Sequence, residues 1–254
     1  MECTSHISWL LVGHGTRHPR GRAEFLEVAA RLQQRMNDAD RELPIEPCFL
    51  ELSKPTIAQG LERLAAQGVK RVIVVPLLLF AAGHAKDDVP DAVCIAAERL
   101  GLQIIGQAGA LEFHPHLLDL SRRRIEQTLA GRATSGTLLL LVGRGSSDST
   151  AIAAVREYAR RLADSLGLPG ETAFVAAAQP ALPDKLMELA ARAPKRVVVL
   201  PHLLFTGDVF ATIETQVAAM MEKHRSTEWL LASYLGPDEC VVDAVFDRAS
   251  AVWK

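Results

Sequence analysis

The chain has 254 residues, of which 49% are hydrophobic and 23% are charged, and its formal net charge is −2. That size and composition are typical of a globular protein with one large core or two smaller ones, and the near-neutral charge argues against a nucleic-acid partner. No apolar run reaches the roughly 20 residues of a transmembrane helix, and the N-terminus lacks the pattern of a signal peptide, so we expect no membrane partner and a cytoplasmic protein.

In the first half of the chain, apolar segments alternate with amphipathic ones. The apolar runs predict strands at 9–12, 46–50, 72–79 and 103–108, and helical spacing of apolar residues predicts helices at 22–38, 55–66, 89–100 and 116–129. The run 72–79 is rich in leucine and β-branched residues, which is typical of a central parallel strand that is covered on both faces. The alternation predicts right-handed crossovers and a parallel sheet.

Chemically reactive side chains follow three of these strands. His14 stands in the Gly13-His14-Gly15 loop directly after the first strand, Glu51 follows the second, and His84 follows the third. Open α/β sheets hold their functional groups at the carboxyl ends of the strands, and the glycines let the backbone turn tightly there. Two imidazoles and a carboxylate at one sheet edge predict a metal or proton-transfer site.

The sequence contains an internal repeat. The segment LVGHGT at 11–16 is matched 130 residues later by LVGRGS at 141–146. The segment RVIVVP at 71–76 is matched 125 residues later by RVVVLP at 196–201. Further matches follow in the same order, so we infer that a unit was duplicated.

The repeat organises the whole chain into an N-terminal half at 1–131 and a C-terminal half at 136–254. In the second half the apolar runs predict strands at 137–142, 172–177, 197–200 and 229–234. We therefore predict an α/β fold of two similar parallel-sheet subdomains, related by pseudo-twofold symmetry, with the active-site cleft between them. Because both halves are fused in one chain, we expect a monomer.

The two halves differ at the residues that carry chemistry. Where the first half has His14 and Glu51, the second has Arg144 and Ala176, and no histidine stands at the position that matches His84. A purely structural role would predict the same residues in both halves or in neither. The first half therefore kept a set of metal- and proton-handling groups, and His14, His84 and Glu51 are the candidate catalytic residues, whereas the second half presents a cation and an apolar surface.

Cationic and hydroxyl side chains near this site are candidates for binding an anionic substrate. Arg17, Lys86 and Arg144 are predicted to lie in loops beside the site, where guanidinium and ammonium groups can bind carboxylates. Ser146 and Ser147 stand at the start of a predicted helix and either cap it or bind a carboxylate at its N-terminus. The alternative interpretation of the charged residues is that they are solvated loop residues.

The four cysteines argue against a thiolate metal site. They are widely spaced and form no C-x-x-C pair: Cys3, Cys48, Cys94 and Cys240. This spacing is not that of a structural zinc site or a redox dithiol, and it fits a reducing compartment. We interpret Cys48 and Cys94 as small buried hydrophobic residues.

Three segments together resemble a known family. GHGTRHP at 13–19, FLELSKP at 49–55 and PLLLFAAGHAKDDVP at 76–90 are similar to the sirohydrochlorin chelatase family of class II chelatases. The resemblance extends over nearly the whole chain and is to the long form, in which two halves are fused. It implies a chelatase-like fold and a lyase that inserts Co²⁺ or Fe²⁺ into the tetrapyrrole sirohydrochlorin, for cobalamin or siroheme biosynthesis, without an organic cofactor.

The resemblance also implies roles for individual residues. His14 and His84 correspond to the histidine pair that faces the metal, and Glu51 corresponds to the acidic residue between them. Metal insertion removes two pyrrole protons, for which histidine is a suitable base near neutral pH, and imidazole also binds iron, cobalt and nickel. Glu51 then accepts a proton or guides the hydrated cation, and the cationic residues bind the substrate's carboxylates.

Two other functions remain open at the level of sequence. A non-catalytic carrier of a tetrapyrrole or a metal would use the same residues. A histidine phosphatase has a motif similar to His14-Gly15-Thr16-Arg17, but that chemistry needs an arginine where this chain has Gly13. The sequence also leaves open the choice among cobalt, iron and nickel, and which histidine is the base and which the ligand.

Overall fold

The computed structural model describes residues 7–38, 43–80 and 83–253, and for residues 83–86 it describes the backbone alone. Strands and helices alternate along the chain. The strands are β1 (Ile7–Gly13), β2 (Ile45–Phe49), β3 (Arg71–Pro76), β4 (Gln103–Gln107), β5 (Thr137–Gly143), β6 (Gly170–Phe174), β7 (Arg196–Pro201) and β8 (Glu228–Leu231). The helices are α1 (Pro19–Asp38), α2 (Ile57–Ala66), α3 (Gly83–Leu100), α4 (Pro115–Leu129), α5 (Ser149–Leu166), α6 (Leu182–Arg192), α7 (Asp208–Lys223) and α8 (Glu239–Ser250).

The strands form two parallel sheets with the same topology. One sheet has the order β2-β1-β3-β4, and the other has the equivalent order β6-β5-β7-β8. Every pair of neighbouring strands is parallel. The predicted fold class, α/β with two similar parallel-sheet units, is confirmed. In each sheet the strand order reverses beside the first strand of the unit, β1 or β5, which is where α/β sheets form binding sites.

Both faces of each sheet are covered, which explains the continuous apolar strands. Leu10 and Val12 of β1 pack in one buried cluster with residues of α2 and α3. Trp9, which points to the opposite face, packs against Phe246 of α8 with 6.0 Å between ring centroids. In the second sheet, β5 contributes Leu140 to the equivalent cluster with α6 and α7. A strand buried on both faces carries no polar alternation.

The compact units of the structure are not consecutive halves of the sequence. Unit 1 comprises Met1–Leu111 together with Pro237–Lys254, and unit 2 comprises Glu112–Gly236. The last helix of the N-terminal repeat, α4, packs against α5 and β7 of unit 2. The last helix of the chain, α8, packs against α1 and β3 of unit 1. The division at 1–131 and 136–254 therefore separates each repeat from the helix that completes its sheet.

Polar contacts attach the two exchanged helices in matching ways. In unit 1, Arg248 of α8 donates a hydrogen bond to the carbonyl oxygen of Leu111 at 3.0 Å. In unit 2, Arg124 of α4 donates an equivalent bond to the carbonyl oxygen of Leu235 at 2.9 Å. Both the arginines and the acceptors stand at matching positions of the repeat. In both repeats, therefore, an arginine at the same position attaches the last helix to the unit formed mainly by the other repeat.

Several predicted boundaries differ from the structure: the helix predicted from 22 begins at Pro19, and the strands predicted to reach 177 and 234 end at Phe174 and Leu231. The strand predicted at 72–79 ends at Pro76, after which the chain forms a loop. The helix predicted from 55 begins at Ile57, because Thr56 is its N-cap and forms a capping box with Gln59. The helix predicted from 89 begins at Gly83 and continues through Pro90, which forgoes one backbone hydrogen bond.

The cysteines divide between the core and the surface. Cys48 is buried, and its burial raises the pKa of the thiol above the usual range. The prediction that Cys94 is buried was wrong, because it lies on the exposed face of α3. Cys3 lies outside the described residues. None of the helices in the described part of the chain is long and apolar enough to cross a membrane.

A buried histidine occupies the core of unit 2. His202 follows β7 directly, is 3% exposed, and lies 4.2 Å from Tyr158 between ring centroids. Its backbone N–H donates to Val142 at 2.8 Å, just as the N–H of Leu77 donates to Val12 at 2.8 Å in unit 1. Burial disfavours the charged imidazolium and lowers the pKa of His202 to about 3.

His202→Leu is expected to make the protein less sensitive to acid, because leucine fills the matching position of unit 1. Below its unfolded pKa of about 6.5 the unfolded chain binds a proton at His202, whereas the folded chain does so only near pH 3, so stability falls as pH falls through this range. From about pH 7 to about pH 5 this group alone removes about 2 kcal/mol from the free energy of unfolding. Urea unfolding at both pH values measures the loss.

His224→Leu is the matched control, because His224 is not buried. This variant should keep the wild-type dependence of unfolding free energy on pH. If His202→Leu loses as much stability between the two pH values as wild type does, His202 is not neutral in the folded protein.

Candidate functional site

His14 and Glu51 lie side by side at the carboxyl edge of the first sheet. His14 follows β1, and Glu51 follows β2, the strand that pairs with β1. The Nδ1 atom of His14 is 3.6 Å from the Oε1 atom of Glu51. The structure therefore brings together two of the three residues predicted to be catalytic.

Backbone contacts between two loops create this arrangement. Beyond the paired strands, the backbone N–H of Leu50 donates to the carbonyl oxygen of Gly13 at 2.9 Å. The backbone N–H of Glu51 donates to the carbonyl oxygen of His14 at 3.0 Å. Gly15 has a φ of +103°, and a Cβ atom at this position would overlap the carbonyl oxygen of Glu51. Only a glycine lets the two loops approach this closely.

The pair remains accessible to a substrate. The His14 side chain is 36% exposed and the Glu51 side chain is 55% exposed. At 3.6 Å the carboxylate attracts a proton on Nδ1 of the imidazole without forming a short hydrogen bond. A proton on Nδ1 leaves the lone pair on Nε2, which can then bind a metal ion or accept a proton.

The remaining predicted residues of unit 1 are distributed around these loops. Arg17 is exposed and lies just before α1. The backbones of His84 and Lys86 lie in the first turn of α3, although Lys86 was predicted to lie in a loop, and their side chains lie outside the described part of the structure. A pairing of His84 with His14 therefore stays a prediction.

The side chain of His18 forms a hydrogen bond that gives this residue a structural role. Its Nδ1 atom accepts a hydrogen bond from the N–H of Gly21 at 3.3 Å, in the first turn of α1. At the matching position of unit 2, Asp148 caps α5 by accepting from the N–H of Thr150 at 2.8 Å. His18 is thus a helix cap, and its Nδ1 lone pair is occupied.

Unit 2 repeats the loop backbone of the site with different side chains. The backbone N–H of Ala176 donates to the carbonyl oxygen of Arg144 at 2.9 Å, which matches the backbone hydrogen bond from Glu51 to His14 in unit 1. Gly145 has a φ of +95°, and a Cβ atom there would overlap the carbonyl oxygen of Ala176. The two units therefore differ at this edge in chemistry and not in backbone fold.

The candidate substrate-binding residues of unit 2 lie at the start of α5. Arg144 and Ser147 are exposed. Ser146 accepts a hydrogen bond from the N–H of Asp148 at 3.0 Å, and Asp148, not either serine, is the N-cap of the helix. Within the described part of the chain, no carboxylate forms an ion pair with Arg17 or Arg144, so both guanidinium groups can bind an external anion.

The protein is thus built of two parallel α/β units. At the strand ends of unit 1 an imidazole lies beside a carboxylate, and these are the groups of a metal-handling or proton-transfer site. The model of the CbiX family matches the chain twice, at residues 8–128 and 138–252. The chain belongs to the CbiX family and contains its unit twice.

Two similar proteins come from Priestia megaterium. The sirohydrochlorin cobaltochelatase is 30% identical over 233 residues, which are 90% of this chain and 74% of that one. The sirohydrochlorin ferrochelatase is 33% identical over 229 residues, which are 89% of this chain and 83% of that one. The resemblance noted from the sequence is confirmed.

Solved structures agree with the fold. SirB from Bacillus subtilis with Fe³⁺ has a TM-score of 0.80 and 29% identity, covering 97% of this chain and 95% of that one. The sirohydrochlorin chelatase SirB from Bacillus subtilis subspecies spizizenii in complex with cobalt has a TM-score of 0.77 and 27% identity, covering 97% and 94%. Both resemblances extend over both repeats.

Gly15→Ala is expected to lower the free energy of unfolding more than Gly68→Ala. Both glycines have a positive φ, +103° and +83°, but a Cβ atom at Gly68 has open space around it. Gly68→Ala therefore measures backbone strain alone, about 1–2 kcal/mol. The additional loss in Gly15→Ala reports the forced separation of the two loops, and urea unfolding measures both. Equal losses would show that the loops do not need this close contact.

Proposed function

We propose that this chain is a chelatase that inserts Co²⁺ or Fe²⁺ into sirohydrochlorin, with the metal ion as a substrate. The observation that carries the proposal is the His14–Glu51 pair, 3.6 Å apart at the carboxyl edge of the first sheet. It occurs in a member of the CbiX family whose relatives are named for insertion of cobalt and of iron. Inserting a metal needs groups that bind the ion and groups that remove pyrrole protons, and this pair supplies both.

The geometry of the pair suggests how protons move. Glu51 favours a proton on Nδ1 of His14, so Nε2 is free to take a proton from a pyrrole nitrogen or to hold the arriving ion. The Glu51 carboxylate, 3.6 Å from Nδ1, is the nearest acceptor for a proton that the imidazole passes on. Solvent exposure of both side chains lets the proton leave to water and lets a hydrated cation enter. His84 is proposed as the second imidazole of this site.

The exposed cations are proposed to hold the macrocycle. Sirohydrochlorin carries carboxylates, and Arg17 and Arg144 present guanidinium groups that no carboxylate of the described residues neutralises. Lys86, Ser146 and Ser147 are proposed to assist. The further expectations that the fused chain acts as a monomer, in the cytoplasm and without an organic cofactor, belong to this proposal.

The proposed activity is tested by incubating the purified protein anaerobically with sirohydrochlorin and either Co²⁺ or Fe²⁺. Metal insertion changes the visible spectrum of the macrocycle, and the rate is compared with a reaction that lacks protein. Acceleration with either ion is the expected result, and the ratio of the two rates identifies the preferred metal. A spectral shift on binding without any acceleration would indicate a carrier instead of an enzyme.

Within that assay, His14→Ala and His84→Ala are each expected to lower the insertion rate about 100-fold or more, because each removes a base or metal ligand. Circular dichroism should show an unchanged fold. His224→Ala removes a histidine of the second repeat, at the C-terminal end of α7, which is not among the proposed site residues. This variant should keep the wild-type rate. A near-wild-type rate in His14→Ala or His84→Ala would refute the assignment of that residue.

Arg144→Ala is expected to raise KM for the tetrapyrrole about tenfold and to change kcat little, because loss of one charge-assisted hydrogen bond weakens binding. Initial rates at varied sirohydrochlorin concentration measure both constants. Arg225→Ala removes an exposed arginine whose Nε–H donates to the backbone carbonyl oxygen of Glu222 at 3.4 Å, and it serves as the control. An unchanged KM in Arg144→Ala would exclude this residue from substrate binding.

A further inference from the structure

The two loops of the site are joined by a side chain that the sequence did not single out. The Oγ atom of Ser53 donates a hydrogen bond to the carbonyl oxygen of Thr16 at 2.6 Å. The same Oγ atom accepts a hydrogen bond from the N–H of Thr16 at 3.2 Å. Thr16 stands two residues after His14, and Ser53 stands two residues after Glu51. One hydroxyl therefore binds both the backbone N–H and the carbonyl oxygen of Thr16 in the opposite loop.

This contact begins where the backbone ladder ends. The last backbone bonds between the two loops are those from Leu50 to Gly13 and from Glu51 to His14. Beyond Glu51 the chain turns sharply, with Leu52 at a φ of +59°. The side chain of Ser53 then makes the next connection. His14 and Glu51 are thus held between the ladder on one side and Ser53 on the other.

Hydrogen bonds matter here because the pair is not enclosed by the core. The side chains of His14 and Glu51 are 36% and 55% exposed, so packing alone does not set the distance between them. The distance between the two groups depends mainly on the relative position of the two loop backbones. A displacement of about 1 Å at a catalytic group can cost on the order of 100-fold in rate.

Unit 2 shows that the loops fold without this hydroxyl. Ala178 occupies the position that matches Ser53, 125 residues later in the chain. Ala177 has a φ of +53°, like Leu52, and the bond from Ala176 to Arg144 is kept. The serine is therefore not required to form the turn. It is present in the unit that carries the imidazole and the carboxylate, and absent from the unit that carries neither.

We infer that Ser53 is a positioning residue, which fixes the His14 imidazole relative to the Glu51 carboxylate by binding the backbone of Thr16. Its effect on metal insertion rests on the proposed function, whereas its effect on the geometry of the pair does not. The experiment therefore has a kinetic part and a spectroscopic part.

The kinetic part compares Ser53→Ala with wild type. We expect kcat for metal insertion to fall about tenfold, with KM for sirohydrochlorin within about twofold, because the pair is displaced and the residues proposed to bind substrate are unchanged. Ser53→Thr keeps a hydroxyl and should restore most of kcat. The free energy of unfolding should fall no more in Ser53→Ala than in Ser165→Ala, which removes a hydroxyl bonded to the backbone of Leu162 at 2.7 Å.

The spectroscopic part uses the protein without metal or tetrapyrrole. The ¹⁵N chemical shifts of the His14 ring report how strongly Glu51 acts on the imidazole, and Glu51→Gln should change them in the wild-type background. In the Ser53→Ala background the same substitution should change them less, because the carboxylate no longer sits at a fixed distance. Ala178→Ser adds a hydroxyl at the matching position of unit 2 and should alter neither the shifts nor kcat.

Two results would overturn the inference. One is a Ser53→Ala variant with wild-type kcat and a wild-type response of His14 to Glu51→Gln. The other is a loss of activity that merely follows the loss of folded protein, which would make Ser53 a stabilising residue only. If wild type inserts no metal at all, the proposed function fails, and the spectroscopic comparison alone decides the role of Ser53.

Discussion

The close contact between the loops after β1 and β2 is the constraint on which the site depends. Gly15 lies against the carbonyl oxygen of Glu51 so tightly that no side chain fits between them, and backbone hydrogen bonds continue from the strands into the loops. Parallel pairing of β1 with β2 brings both loops to the same edge of the sheet. An imidazole and a carboxylate from distant parts of the sequence consequently lie within 3.6 Å of each other.

Duplication preserved this backbone and allowed its chemistry to diverge. Gly145 repeats the contact in unit 2, against the carbonyl oxygen of Ala176. The side chains presented there are the guanidinium of Arg144 and the methyl group of Ala176. The guanidinium can bind an anion, and neither group can accept a proton near neutral pH. A similar change occurred in the core, where His202 of unit 2 occupies the place of Leu77 in unit 1. The backbone tolerated both changes because its own hydrogen bonds define the loops.

The exchange of terminal helices separates the repeat in the sequence from the unit in space. The apolar face of α4 is buried in unit 2, and that of α8 is buried in unit 1. Unit 1 therefore contains residues from both ends of the chain, which ties its stability to a segment more than a hundred residues away, whereas unit 2 is one continuous segment. Matching arginines, Arg124 and Arg248, bind backbone carbonyls of the unit that each helix joins.

The sequence alone determined the fold class, the repeat and the family, because apolar periodicity and motif order are properties of the chain itself. It also predicted that His14 and Glu51 lie at the same sheet edge, since glycines and strand ends are recognisable locally. Only the tertiary structure decided that Cys94 is exposed, that α3 begins before His84, and which unit each terminal helix completes. The contact of Ser53 with Thr16 likewise became visible only in three dimensions, because a hydrogen bond across 37 positions of sequence depends on how two loops meet.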